Sequence, residues 1–332
     1  MELLEKISFL VPVYNSKPTI EMVVRRIAAA VHTLETPVDF EIVLVDDGSR
    51  DGVYDVCRAL AVELPYVRPF QLARNFGQAN ALMAGLNQIT GDYVVCLDDD
   101  LQTPPEEFIK LYHTMQSGGF DVVYGYYEHK KHSAFRNFGT SLNESMQTFI
   151  LNKPCNIHTS SYFIAKRYVV DIVKQYDKPF PYLPGLFLLM TGSVASVPIH
   201  HDARHEGRSG YGLVKLLELW LNGFTNFSVK PLRIASFAGT IIALVAFVMM
   251  IVLFILKLSG QDIQMGWTST IVILLFIGGV QLLSVGILGE YIGRIYLSVN
   301  QTPQYVIKPE SPHAADNTAA RVGQTEKKPE RV

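Results

Sequence analysis

Three consecutive aspartates, Asp98, Asp99 and Asp100, end an apolar run, and Gln102, Pro104 and Pro105 follow closely. Like charges repel, so three adjacent carboxylates mark a place where something positive is expected. Hard divalent cations such as Mg²⁺ and Mn²⁺ prefer oxygen ligands. Asp98 and Asp100 are two residues apart, a spacing that lets both hold one ion that also contacts a substrate diphosphate. Gln102, two further on, offers an amide oxygen on the same side if the extended alternation continues. A lone D-x-D is a weak signal, because a solvated acidic loop looks the same. Here a second acidic pair, Asp46–Asp47, ends an earlier apolar run, and both clusters point to one sheet edge.

The elements that must position these residues are legible as alternating periods. "ISFLVPVYN", "FEIVLVDDGS", the weaker "VRPFQLA", "GDYVVCLDDD" and "FDVVYGYY" read as short buried strands ended by turn residues. "TIEMVVRRIAAAVHTLE", "VYDVCRALAVEL", "GQANALMAGLNQI" and "PEEFIKLYHTMQSG" have apolar residues at helical spacing. Glu106 and Glu107 are expected in the first turn of the last of these, where the helix dipole favours them. "SSYFIAKRYVVDIVKQY" reads as a further strand and helix. Alternation of this kind predicts an α/β fold with a mostly parallel sheet flanked by helices. Ligands bind such sheets at the carboxyl ends of the strands, and Tyr14–Asn15, Asp46–Asp47 and Asp98–Asp100 all fall there.

Composition narrows the function further. The 332 residues hold 29 Lys+Arg against 31 Asp+Glu, a balance unlike that of a nucleic-acid binder. Cys57, Cys96 and Cys155 are scattered and form no C-x-x-C pair, so reduced thiols in a cytoplasmic setting are expected rather than disulfides or zinc. "MELLEKISFL" carries no basic region followed by a long apolar core, so no signal peptide is expected. Residues 1–210 read as a cytoplasmic catalytic domain. Residues 211–233 include the amphipathic "LVKLLELWLNGFTNF", which reads equally as an interfacial helix or a core helix. Two uncharged stretches, 234–256 and 268–289, are each long enough to span a bilayer. Lys230 and Arg233 precede the first span, and Arg294 and Lys308 follow the second. The positive-inside rule then places the large domain and both termini in the cytoplasm of a multi-pass protein. Residues 290–308 form a juxtamembrane segment, and the polar tail 309–332 has a disordered composition.

At this point the chain resembles a family. "VPVYN", "VDDGS", "LARNFGQANALMAG" and "LDDDLQTPPEE" occur in the order and spacing of family 2 glycosyltransferases with the GT-A fold. "ILGEYIGRIY" after the paired spans is similar to their polyprenyl-phosphate branch. That branch includes bactoprenol glucosyltransferases, dolichyl-phosphate mannose synthases and undecaprenyl-phosphate 4-deoxy-4-formamido-L-arabinose transferase. The resemblance implies a GT-A Rossmann-like mixed sheet, followed by interfacial helices and a two-helix transmembrane hairpin. It implies that Pro12 and Tyr14 border the nucleotide base, with Asp46 or Asp47 hydrogen-bonding it. Arg74, Gln78 and Asp99 join them in the nucleotide-sugar site. Asp98, Asp100 and Gln102 match the D-x-D-x-Q that binds Mg²⁺ or Mn²⁺ in the dolichyl-phosphate mannose synthases. The acceptor is expected to be a polyprenyl (undecaprenyl) phosphate. Arg136 matches a family arginine that faces this phosphate and counts with the catalytic residues. Arg204, Arg208 and Ser209 form a second acceptor set, since guanidinium forks suit phosphate oxygens. UDP is the expected donor nucleotide, a homo-oligomer is expected by analogy, and the bacterial inner membrane is the expected location.

The implied reaction joins nucleotide-sugar and polyprenyl phosphate into polyprenyl-phosphate sugar and nucleoside diphosphate, for envelope glycan or lipid A decoration. A phosphate monoester has its second pKa near 6, so the nucleophile is largely ionised at neutral pH and needs positioning more than a general base. Direct displacement inverts the anomeric carbon. Two departures bear on the sugar and the acceptor. Asn15–Ser16 stands where many relatives have N-E, and "GRSGYG" (207–212) where many have G-E-S-K-Y. His200, His201 and His205 do not read as a metal site, because no carboxylate pattern supports them. A processive polysaccharide synthase would have more spans and a Q-x-x-R-W motif. A non-catalytic membrane scaffold would not need the intact acidic set. A channel would carry ionisable residues inside its spans.

Overall fold

A computed structural model describes residues 4–127, 157–178, 181–200, 230–259, 266–300 and 302–309. Arg136, Arg204, Arg208, Ser209, His201, His205, Cys155, the segment 211–229 and the tail beyond 309 lie outside the described residues. The chain divides into two units, Met1–Glu106 with Tyr305–Val332, and Glu107–Gln304. Seven strands make a mixed α/β sheet flanked by helices, as the GT-A resemblance implies.

In the first unit the elements alternate as β1 (Lys6–Val13), α1 (Ile20–Val31), β2 (Asp39–Asp46), α2 (Val53–Glu63), β3 (Val67–Gln71), α3 (Gln78–Leu86) and β4 (Tyr93–Cys96). The strands are all parallel and run in the order β3-β2-β1-β4. Residues Ile7 to Val13 are buried without alternation, the signature of a parallel strand covered on both faces. Helix α1 buries Ile20, Val23, Val24, Ile27, Ala28 and Val31, a single face at helical spacing. Each of the larger side chains contributes roughly 1.5–3 kcal/mol by leaving water.

The register places Val13 beside Asp46, and Asp46 beside Gln71. Leu10 pairs with Cys96, so continuing the register puts Asp98 level with Pro12 at the carboxyl end of β1. The chain runs outward from β1 to β2 and β3, then returns to the other side of β1 as β4. That reversal makes the carboxyl ends of β1 and β4 a switch point, where a crevice opens in sheets of this type.

At the opposite strand ends, a buried polar cluster ties the sheet together. Glu41 is 3 % exposed. It accepts hydrogen bonds from Ser8 Oγ at 2.7 Å, Thr90 N–H at 2.5 Å, Thr90 Oγ1 at 2.9 Å and Arg68 at 2.6 Å.

The second unit holds α4 (Phe108–Gly118), β5 (Val122–Tyr126), β6 (Phe163–Lys166), α5 (Arg167–Val173), α6 (Leu183–Met190) and β7 (Val194–Pro198). Strand β5 pairs antiparallel with β6 and parallel with β7. The sequence reading had no element for α6 or β7. The expected helix start at Pro105 also shifts. Pro105–Glu107 form a 3-10 turn and α4 begins at Phe108. Two prolines without N–H groups precede it, and the carboxylate of Glu106 takes a two-point ion pair from Arg26 on α1, at 2.8 and 2.7 Å.

Two long helices complete this unit, α7 (Lys230–Leu258) and α8 (Trp267–Val299). Helix α8 does not stop near Gly289 but continues to Val299, carrying Glu290 with it. Phe276–Val299 is long and apolar enough to cross a membrane, with mean hydropathy 1.4, and Ala235–Met249 is a shorter apolar stretch. Both helices expose large apolar side chains, among them Phe237, Leu244, Phe276 and Leu282.

Candidate active site

The site lies within the first unit, on the loops that leave β1, β2, β3 and β4. The loop after β1 is held by the two acidic clusters. The N–H of Tyr14 donates to Asp99 Oδ2 at 3.0 Å, and Thr19 Oγ1 donates to the Asp99 carbonyl at 2.7 Å. Asn15 takes a left-handed backbone, φ 52°. Its N–H donates to Ser49 Oγ at 2.9 Å, and its side-chain oxygen accepts the N–H of Arg50 at 3.0 Å. An Asn suits this position because its short polar side chain bonds locally and tolerates the left-handed region. Tyr14 is left half exposed, at 51 %, and lines a cavity.

Asp46 and Asp47 are buried, at 1 % and 3 % exposure. Asp46 accepts the N–H of Ser49 at 2.9 Å and the amide of Gln71 at 2.8 Å. Asp47 accepts the N–H groups of Phe76 and Gly77 at 2.7 and 2.8 Å. Burial pushes the Asp47 carboxyl up, with those two N–H donors working against it and the neighbouring Asp46 adding to it. Both carboxylates therefore organise the loops that carry Arg74 and Gln78. Gly48 must be glycine. Its φ is +68°, and a Cβ would sit 2.6 Å from the Arg74 carbonyl carbon and 2.7 Å from the Asn75 nitrogen. The "VDDGS" motif is thus a close crossing of two backbones.

Asp98 accepts the side-chain amide of Gln78 at 2.7 Å. Asp100 accepts the N–H of Gln102 at 3.1 Å. This bond folds the chain, and Leu101 takes a left-handed φ of 59°. The extended alternation from Asp98 to Gln102 is interrupted at Leu101. Asp99 is committed to Tyr14, and burial pushes its carboxyl up to about 6, with Asp98 and Asp100 adding to the rise. Among the described residues no three His, Cys, Asp or Glu side chains converge on one metal position. The donor set still suits a hard ion. Two carboxylates can hold Mg²⁺ or Mn²⁺ when substrate phosphates and water complete the shell, which is how such ions usually bind.

A cavity of about 280 Å³ opens beside these loops, lined among others by Tyr14, Arg50, Gln71, Arg74 and Lys308. The guanidinium of Arg74 lies 4.5 Å from the centre of the Phe76 ring, a cation–π contact that orients it. Pro12 sits below, within β1. The structure thus brings together Tyr14, Arg74 and the loops that Asp46 and Asp47 hold, with Gln78 on Asp98. Gln71, Arg50 and Lys308 were missed. The strand register could have pointed to Gln71, which pairs with Asp46. Nothing local pointed to Lys308.

This chain belongs to glycosyl transferase family 2. The family's model matches residues 8–172, and a second model, the GtrB C-terminal hairpin, matches residues 230–295. The chain is a glycosyltransferase by this membership. It is 34 % identical to the undecaprenyl-phosphate 4-deoxy-4-formamido-L-arabinose transferase of Yersinia enterocolitica (serotype O:8 / biotype 1B), over 92 % of this chain and 94 % of that one. It is 33 % identical, over the same shares, to the protein of that name from Yersinia pestis (strain Pestoides F). Among solved structures it is similar to Mycobacterium tuberculosis glucosyl-3-phosphoglycerate synthase in complex with Mn²⁺, uridine-diphosphate-glucose and phosphoglyceric acid. That likeness has 20 % identity and a TM-score of 0.48, covering 65 % of this chain and 76 % of the other.

Proposed function

We propose that the protein transfers a sugar from a nucleotide-sugar to a polyprenyl phosphate, with inversion, at the cytoplasmic face of a bacterial inner membrane. The observation that carries this reading is the presence of two features along one carboxyl edge of the parallel strands. The D-x-D carboxylates Asp98 and Asp100 leave β4, and a cationic cavity with an exposed tyrosine opens at the ends of β1, β2 and β3. The Yersinia relatives, whose names specify undecaprenyl phosphate as acceptor, support the choice of lipid.

In this reading Tyr14 and Arg74 border the nucleotide, above Pro12. Asp46 and Asp47 act as positioning residues by holding the loops that present them. Asp98 and Asp100 would hold Mg²⁺ or Mn²⁺, with Gln78 orienting Asp98. Such an ion, when bound, stabilises charge on the leaving diphosphate. Arg136, with Arg204, Arg208 and Ser209, would bind the acceptor phosphate. That phosphate is ionised at neutral pH, so the protein's task is to align it behind the anomeric carbon and to exclude water. Both long apolar helices would span the membrane as a hairpin, leaving both termini cytoplasmic, and the protein would assemble as a homo-oligomer.

The test is sugar transfer to radiolabelled undecaprenyl phosphate in detergent, with a panel of UDP-, GDP- and dTDP-sugars. A glycolipid that needs Mg²⁺ or Mn²⁺, and is lost with chelator and in Asp100→Ala, is expected, with UDP as the first nucleotide to try. Transfer that persists with chelator and in that variant would remove the metal role. No product and no nucleotide binding across the panel would favour a non-catalytic scaffold.

A further inference from the structure

After helix α8 the chain returns to the sheet. The N–H of Ala73 donates to the Val306 carbonyl at 2.8 Å, and the N–H of Lys308 donates to the Gln71 carbonyl at 2.8 Å. Leu72 and Ile307 face each other as an antiparallel bridge. Tyr305, half-buried, is hydrogen-bonded to Asn87. The segment Tyr305–Lys308 therefore extends the edge beyond β3 as a short strap. Covering an edge strand is useful in itself, but the side chain of Lys308 does something that edge cover does not require. Its Nζ donates to Gln71 Oε1 at 3.1 Å. That leaves the amide nitrogen of Gln71 to donate to Asp46 at 2.8 Å, so the lysine and the buried carboxylate fix the amide from its two ends.

The same lysine lines the cavity beside Tyr14. The lining carries three cations, Arg50, Arg74 and Lys308, and no carboxylate. None of the three is ion-paired with a carboxylate among the described residues. An open cavity with surplus positive charge, an amide and a lining tyrosine suits an anion joined to a flat polar ring. A nucleoside diphosphate has that form.

We propose that Tyr305–Lys308 is a built-in wall of the donor pocket, and that Lys308 is a nucleotide-binding residue whose ammonium contacts the donor's nucleoside diphosphate. This rests on the donor-site reading above. It means that the donor pocket is completed by chain that follows the second long helix, from outside the segment 8–172 that the family model matches.

The experiment is calorimetric titration of the full-length protein in detergent with UDP, GDP and dTDP in the presence of Mn²⁺. For whichever nucleotide binds, Lys308→Ala and Lys308→Met should raise Kd about tenfold, the scale of one charge-assisted hydrogen bond at a solvated site. Lys308→Arg should stay within about threefold of wild type by the same reasoning, since it keeps the charge. Unliganded melting temperatures equal to wild type in the Met and Arg variants show that the strap is intact. Asp100→Ala is titrated in parallel. If it weakens binding while Lys308→Met binds as wild type does, the inference about Lys308 is overturned and the donor-site reading stands. If wild type binds none of the three nucleotides, both fail.

Discussion

Asp99 Oδ2 accepts the backbone N–H of Tyr14 at 3.0 Å, so the middle of the three aspartates is a brace between the ends of β4 and β1. Its neighbours on either side carry the metal chemistry proposed here. Removing the brace loses a hydrogen bond at an exposed N–H, at a cost of about 0.5–1.5 kcal/mol. Asp99→Ala should therefore lower stability by that amount in urea unfolding and weaken nucleotide binding by loosening Tyr14. Asp99→Asn, whose amide oxygen can still accept, should lose less. Equal losses in the two variants would show that charge, not the hydrogen bond, is what matters at this position.

Gln78 donates to Asp98 at 2.7 Å from the first turn of α3. If that amide orients a metal-holding carboxylate, Gln78→Ala should reduce the transfer rate about tenfold, the equivalent of about 1.4 kcal/mol. It should also raise the Mn²⁺ concentration needed for half-maximal rate. Asp98→Ala should abolish transfer. A Gln78→Ala enzyme with an unchanged metal requirement would make the contact structural only.

Gly48 and Gly119 both have positive φ, +68° and +65°. A Cβ on Gly48 meets the backbone at 2.6 Å, whereas one on Gly119 meets nothing within 4 Å. Gly119→Ala should cost only the conformational penalty, roughly 1 kcal/mol. Gly48→Ala should cost clearly more and also impair nucleotide binding, because the obstructing atoms belong to Arg74 and Asn75. Denaturant titration of the two variants side by side measures the difference, and equal costs would refute the close crossing.

Burial by itself would raise the pKa of Glu41, but hydrogen bonds from Ser8, Arg68 and Thr90 outweigh it and hold the carboxyl below 4.5. A carboxylate depressed in the folded state contributes stability that is complete above its unfolded pKa and is lost as pH falls through the folded value. The contribution of Glu41 should thus be level above about pH 5 and decline below about 4.5, the ordinary range of a free glutamate. In Glu41→Gln this acid-side decline should be shallower. Glu41→Ala should cost about 3 kcal/mol at pH 7, since it strands Arg68 and several buried donors. Melting temperatures from pH 3 to 8 for the three proteins check both points.

The parallel sheet of the first unit and the position of the site could be read from local pattern. Apolar runs of strand length alternate with helical periods, and acidic or aromatic residues stand where each run stops. Period and turn chemistry are properties of neighbouring residues, so Tyr14, Asp46–Asp47 and Asp98–Asp100 can be placed on a common edge from the sequence. The division of labour among them was not legible. Asp46, Asp47 and Asp99 are all acidic and all follow strands. It took the folded chain to show that they spend their oxygens on loop N–H groups and on Gln71, while Asp98 and Asp100 meet Gln78 and the Gln102 backbone. Alternation assumes an extended chain, whereas Leu101 is left-handed and the N–H of Gln102 bonds Asp100, a turn that no local period announces. Lys308 lay furthest from view. Its bond to Gln71 joins positions 237 apart, and a periodicity that reaches no further than one helix or strand carries no trace of a contact made only when the chain comes back.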